Sequence, residues 1–192
     1  MGREFELKFS ATPAQQNAIL TKYGDFCQIS MQTTYYDTPD RALTARHITL
    51  RRRLENGVSV CTVKTPQPGN GRGEWELDWA DPSTMVAELC RMGAPKELLA
   101  LTAGGIAPVC GARFTRLAKH LELDGGTAEL ALDCGVLLGG DREVALCEVE
   151  VELKSGCEEA TVAFAAALAA EFGLKEQKHS KFRRAMALAE TV

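Results

Sequence analysis

The feature that most constrains the fold is a set of predicted strands whose polar faces are charged almost throughout. Glu148, Glu150, Glu152 and Lys154 alternate with Val149, Val151 and Leu153, and Glu74, Glu76 and Asp78 alternate with Trp75, Leu77 and Trp79. Successive side chains of a strand point to opposite faces, so each charged set shares one face, with neighbours ~6–7 Å apart. Arg51 and Arg53 share a third such face, opposed by Leu50, Arg52 and Leu54, and Arg52 therefore reads as an external ion-pair or packing residue. Glu129 and Asp133 flank Ala131 on a fourth, opposed by Leu130 and Leu132. At the N-terminus Glu4, Glu6 and Lys8 oppose Phe5, Leu7 and Phe9.

Two architectures satisfy this pattern. In one, each charged face meets water and the sheet has one dry side. Like charges at alternate positions repel, however, and several such strands in one chain suggest a second arrangement. There the sheet closes on itself with the charged faces inside and the apolar faces packed outward against helices. Buried charges need partners, so the acids would be held by a metal cation and the bases by a polyanion. The pattern alone does not choose between the two.

The punctuation along the chain sets the fold class. Thr12 as N-cap, Pro13 at the first helical position and Gln15 completing a capping box predict a helix to Tyr23 that stops at Gly24. A β-rich stretch over 27–79 follows, with Asn56-Gly57 as a hairpin turn. Asp81-Pro82 is expected to open a second helix that Gly93 ends, Pro95 a short third one, and 104–111 a connection. Strands are predicted over Phe114–Leu123, Thr127–Asp133 and Leu146–Lys154, then a helix over Glu158–Phe172 ended by Gly173 and a last one capped by Ser180. Hairpin-linked strands with helices between and after them predict an α+β fold with a mostly antiparallel sheet, one domain over 1–192.

Composition excludes some functions. A net charge of −4 argues against a general nucleic-acid coat, although local clustering of Lys and Arg still permits a polyanion site. Seven cysteines, an odd number without a C-x-x-C pair, read as free thiols of a reducing cytosol, which makes a cytoplasmic location the expectation. The acidic start of the chain is not a signal peptide, and the Ala-rich run from Ala160 to Ala170 is too short to span a bilayer. Neither nucleic acid nor membrane is an expected partner.

The charged strands also occur in a specific order. Glu4, Glu6 and Lys8 form an E-x-E-x-K run, followed by Tyr35-Tyr36-Asp37-Thr38-Pro39, Leu50-Arg51-Arg52-Arg53, Thr62-Val63-Lys64 and Glu74-Trp75-Glu76. Phe114-Thr115-Arg116, Leu132-Asp133, the run Glu148 to Gly156 and Ser180-Lys181-Phe182-Arg183-Arg184 complete the series. This ordered set, over residues 3–185, resembles the CYTH or triphosphate tunnel metalloenzyme superfamily, and within it the bacterial inorganic triphosphatases. Many of those carry a second, histidine-rich helical domain (CHAD); with three histidines and an end at Val192, the sequence is expected to lack it.

The resemblance implies a topologically closed barrel of eight antiparallel strands with helices outside and a small-molecule triphosphate inside. It implies Mg²⁺ or Mn²⁺, hard cations that prefer carboxylate oxygens, held by Glu4, Glu6, Glu148 and Glu150, with Glu152 on the same face nearer the rim. Lys8, Arg51, Arg53, Lys64, Arg116 and Lys181 would bind substrate, with Arg116 fitting the basic strand better than Arg113. Glu4, Glu6, Lys8, Glu76 and Asp133 would serve the chemistry, the last two, like Glu74, by holding the bases or the water. Tyr35 and Tyr36 are expected to pack or cap, Trp75 and Trp79 to lie under helices, and His179 to sit at the surface. The implied reaction is hydrolysis of inorganic triphosphate to pyrophosphate and phosphate. Thiamine triphosphatase, nucleoside triphosphatase and class IV adenylate cyclase remain open within the class, and a non-catalytic polyphosphate or nucleotide binder outside it.

Overall fold

The structure, a computed structural model, describes residues 2–3, 5–66 and 72–190. Strands β1 (Gly2–Arg3) and β2 (Glu6–Ser10) lead to α1 (Pro13–Tyr23) and β3 (Cys27–Asp37). After α2 (Ala42–Ala45) come β4 (Thr49–Glu55), β5 (Val58–Pro66) and β6 (Arg72–Asp78). Then α3 (Met85–Arg91) and α4 (Glu97–Leu101) precede three long strands, β7 (Ala107–Leu123), β8 (Gly126–Gly139) and β9 (Arg142–Gly156). The chain closes with α5 (Glu158–Phe172), β10 (Lys175–Glu176) and α6 (Lys181–Glu190).

The fold is α+β, and every strand pair is antiparallel in a single sheet ordered β1-β6-β5-β4-β3-β7-β8-β9-β2-β10. The closed eight-stranded barrel is thereby corrected: among the described residues the ladder has ten strands and ends at β1 and β10 without closing. It is nevertheless far from flat. Gly2 and Arg3 pair with β6, whereas Glu6 to Ser10 pair with β9. Arg3 and Glu6 are three Cα steps apart, at most about 11 Å. One N-terminal segment thus joins two strands six ladder steps apart, and the sheet must curl to allow it.

Local chemistry explains most boundaries. Thr12 Oγ1 accepts from Gln15 N at 3.3 Å and Gln15 Oε1 accepts from Thr12 N at 2.8 Å, the reciprocal capping box predicted for α1. Asn56 and Gly57 both have positive φ (50° and 89°), as a two-residue hairpin turn with the right twist requires. The helix expected from Asp81 begins only at Met85, because Asp81 Oδ1 accepts from Ser83 N at 2.9 Å and Ser83 Oγ at 2.7 Å and folds 81–84 into a turn. Residues 107–111, expected as a connection, are already the start of β7, and β8 and β9 run on past Asp133 and before Leu146 to a turn at Gly140-Asp141. Their glycines disguise this extension. A Cβ on Gly139 would collide with the backbone of Ala185 and Ala189, so this strand position is kept bare for the close approach of α6.

Two apolar clusters lie on the outer face. Leu130, Leu132, Val149 and Val151 meet Ile19 of α1 and Ala165 and Leu168 of α5. Leu50, Cys61 and Val63 meet Met85 and Leu89 of α3, with Trp75 and Trp79 packed against them as expected. A third cluster differs. Ala112, Phe114 and Leu137 alternate in register with Arg116 and Asp133, so they share the charged face, and they pack with Ala185 of α6. The expectation that all helices lie outside is corrected accordingly: α6 plugs one end of the curl from within. Among the described residues no helix is long and apolar enough to cross a membrane.

Candidate functional site

The charged faces converge. A cavity of about 830 Å³ is lined by residues of β2 through β9 and by the start of α6, including Glu6, Lys8, Arg51, Arg53, Lys64, Glu74, Glu76, Arg116, Glu150 and Lys181. Alternation along each strand turns these side chains inward, and the register then sorts them into three groups.

The deepest group is a charge cluster at the α6 plug. Lys181 Nζ lies 2.8 Å from Asp133 Oδ2, 2.7 Å from Glu148 Oε2 and 2.7 Å from Glu150 Oε1. Arg116 donates from Nε and Nη2 to the two Asp133 oxygens, both at 2.8 Å, and from Nη2 to Glu150 Oε2 at 2.5 Å. Arg184 donates to Glu148 Oε1. Three carboxylates thus face three cations, as buried charges require. The Lys181 ammonium is held well above its usual value: burial would lower it, but Glu150, Asp133 and Glu148 outweigh that. Glu150 is held below its usual range, because Lys181 and Arg116 offset the opposite effect of burial. From outside, the buried Gln16 of α1 donates to the carbonyls of Asp133 and Glu148 at 3.0 and 2.8 Å and ties β8 to β9 at this level.

The second group is an acidic row. Glu6, Glu152 and Glu129 are direct cross-strand partners on β2, β9 and β8. Lys8 Nζ bonds Glu6 Oε1 at 2.7 Å, and Lys154 lies 3.0 Å from Glu152 and 3.9 Å from Glu129. Burial raises the Glu152 carboxyl above its usual range; Lys154 opposes this, while Glu129 and Glu6 push the same way. Like charges side by side on a sheet are unfavourable, so this row is a site that a cation would stabilise.

The third group is a basic wall. Arg51 Nε donates to Thr62 Oγ1 at 3.3 Å, and its Nη2 lies 3.8 Å from Glu76 and 3.9 Å from Glu74. Thr62 Oγ1 donates to Glu76 Oε2 at 2.8 Å, and Lys64 lies 3.3 Å from Glu74. Arg53 pairs with Glu55, yet burial and then the neighbouring Arg51 hold its guanidinium below the ordinary arginine value. Crowded guanidiniums of this kind attract an anion.

Most residues singled out in the sequence line one space. Glu4 lies outside the described residues. Glu148 and Asp133, both 0% exposed, do not line the cavity; they stand behind Lys181 and Arg116. Arg113 is exposed and pairs with Glu143 at 3.3 Å, and His179 is exposed at the entry to α6. Arg52 points outward and donates to Ser59 Oγ at 2.8 Å. Tyr35 lines the cavity with its ring 5.0 Å from that of Phe182, while Tyr36 packs outward. Asp37 is structural: it accepts from Thr38 N, Leu43 N and Thr44 N at 2.8, 3.0 and 3.1 Å and so pins α2. Sequence reasoning passed over Glu129, although it shares a face with Asp133, and set Glu152 aside as a rim residue. It also gave no role to Arg184, whose signal was its one-turn spacing from Lys181.

The CYTH domain family matches residues 2–186, almost the whole chain, and the chain belongs to that family. An inorganic triphosphatase of Haemophilus influenzae is 29% identical over 169 residues, covering 81% of this chain and 46% of the relative. The chain therefore spans about half the length of the curated relative it matches. Among solved structures, a Hippeastrum protein named for adenylyl cyclase, and described with a dominant triphosphatase activity, superposes with a TM-score of 0.71 at 18% identity over 100% of this chain and 98% of its own. A Bacillus halodurans protein named for adenylate cyclase gives 0.70 at 20% identity over 96% and 98%. These two likenesses concern the fold.

Proposed function

We propose that this chain hydrolyses inorganic triphosphate to pyrophosphate and phosphate with a divalent cation, Mg²⁺ or Mn²⁺. The observation that carries this reading is an acidic row and a basic wall lining one cavity of about 830 Å³. A short linear polyanion with a bound cation is the ligand that matches both. The H. influenzae relative, an inorganic triphosphatase, supports the choice of substrate.

The residues fit a hard cation. Glu6, Glu152 and Glu129 offer carboxylate oxygens on adjacent strands, and Glu4, two residues before Glu6 in sequence, is kept as a further candidate ligand. The buried trio Asp133, Glu148 and Glu150 also brings carboxylate oxygens within 4.8 Å of one another, but Lys181, Arg116 and Arg184 already answer its charge. In this proposal Glu148 is an anchor for Lys181, and Glu152, expected at the rim, takes the ligand role that the resemblance implied for Glu148. When bound, the metal neutralises phosphate charge and acidifies a water molecule.

The chain's own residues do the rest. Arg51, Arg53 and Lys64 would bind phosphate oxygens from one wall, and Arg116, Lys8 and Lys181 from the other. Phosphoryl transfer depends mainly on positioning and charge stabilisation, so the stiffness of these cations matters as much as their number. Asp133 fixes Arg116 through a bidentate pair, and Glu76 fixes Arg51 through Thr62. Both act here as positioning residues. Phosphate release from inorganic triphosphate, ATP and thiamine triphosphate, with Mg²⁺ or Mn²⁺ and a parallel assay for cyclic AMP, tests the reading. Fastest release from inorganic triphosphate is expected; cyclic AMP formation, or tight binding with no product, would overturn it.

A further inference from the structure

Outside the cavity, one pair of side chains has a chemistry that the proposed reaction does not use. Cys134 of β8 and Cys147 of β9 are direct cross-strand partners. Their neighbours Asp133 and Glu148 point inward, so both thiols lie on the outer face, where Cys134 is exposed and Cys147 half-buried. The Cys147 carbonyl accepts from Ala11 N at 3.1 Å, on the side of β9 away from β8. Its peptide groups therefore do not pair with Cys134, and the two form a non-hydrogen-bonded pair. In such pairs the Cα atoms are about 4.5 Å apart and the side chains are at their closest, within the span a disulfide bridges. The other five cysteines have no cysteine opposite them: Cys27 faces Ala118, Cys110 faces Tyr35 and Cys61 faces Leu77 and Arg52, while Cys90 and Cys157 lie outside the strands.

We propose that Cys134 and Cys147 form a reversible dithiol–disulfide site for small-molecule disulfides of the glutathione class. The Cys134 thiolate attacks one sulfur of the disulfide, a protein–glutathione S–S bond forms, and one glutathione thiolate leaves. Cys147, having given up its proton, then attacks Cys134 Sγ; the Cys134–Cys147 bond forms and the second glutathione thiolate leaves. Two protein thiols are oxidised, one disulfide is reduced to two thiols, and the two protons end on the released thiolates or in solvent. Cys134 is the entry sulfur because it is exposed, whereas Cys147 is half-buried. The bond would close one residue from the Asp133–Glu148 pair that anchors Lys181.

The test is titration of the full chain with glutathione redox buffers, followed by alkylation and mass mapping of its thiols. Two of the seven thiols are expected to be lost together, as one Cys134–Cys147 link reversed by reduced glutathione. Cys147→Ser should trap a mixed disulfide on Cys134, Cys134→Ser should abolish the link, and Cys27→Ser or Cys157→Ser should leave it unchanged. Seven thiols surviving in oxidising buffer, a link between other cysteines, or no adduct on Cys134 in Cys147→Ser would each overturn the proposal.

Discussion

Replacing Lys181 with Met tests the buried charge cluster. The substitution keeps most of the side-chain volume and removes the ammonium that sits 2.7–2.8 Å from Asp133, Glu148 and Glu150. Arg116, which bonds both Asp133 and Glu150, and Arg184, which bonds Glu148, then answer three carboxylates with two positive charges, in surroundings where Asp133 and Glu148 are 0% exposed. Stranding one partner of a buried ion pair costs about 3–5 kcal/mol. With a urea m-value of about 2 kcal/mol/M, the unfolding midpoint near neutral pH should fall by roughly 1.5–2.5 M. The pH dependence gives the mechanism away. In the wild type Glu150 is held below the ordinary carboxylate range, so its pairing stabilises the fold at and above that range and is lost as the pH falls through the folded value. In Lys181→Met the three carboxylates share two cations, so the pKa of one of them rises and that carboxyl takes up a proton at mildly acidic pH. The deficit should therefore shrink on acidification, by up to about 1.4 kcal/mol per pH unit once that carboxyl titrates. Urea unfolding followed by the fluorescence of Trp75 and Trp79, between about pH 5 and pH 8, measures it. A deficit below about 1 kcal/mol near neutrality, or one that stays flat with pH, would refute the reasoning.

Other consequences are simpler. Asp37→Ala strands the backbone donors of Thr38, Leu43 and Thr44 and should cost about 2–4 kcal/mol by the same unfolding assay, with Asn recovering part of it. Chelation with EDTA should stop phosphate release, and added Mg²⁺ or Mn²⁺ should restore it. Glu152→Gln should raise the metal concentration for half-maximal rate at least about tenfold, since it removes one charged ligand, while unfolding stability stays near wild type. Glu4→Gln should cut turnover by about 100-fold or more with the fold retained; unchanged turnover would remove Glu4 from the mechanism.

The inward faces were legible because alternation is a backbone rule: Arg51, Arg53 and Glu150 had to share faces with their i±2 neighbours wherever the strands went. Register was not legible. Nothing in the local sequence says that Glu6 opposes Glu152 and that Glu152 opposes Glu129, so the acidic row was hidden and Glu129 was passed over. Nor does the local sequence separate Glu148 from Glu150. They share a face two residues apart, and only the docking of α6, with Lys181 and Arg184 one turn apart, buries Glu148 behind the cavity. Tertiary approach also explains the strand ends, where Gly135 and Gly139 look like turn residues but admit β7 and α6.

The central claim is that the inward charges bind one triphosphate, and it is tested most directly by phosphate release from inorganic triphosphate in two variants of adjacent arginines. Arg51 faces the cavity and Arg52 faces Ser59 on the outside. Loss of one charge-assisted contact to a phosphate costs about 1.5–3 kcal/mol, so Arg51→Ala should lower kcat/KM roughly 10- to 150-fold, whereas Arg52→Ala should stay within about twofold. Equal losses in both variants, or a larger one in Arg52→Ala, would contradict the account.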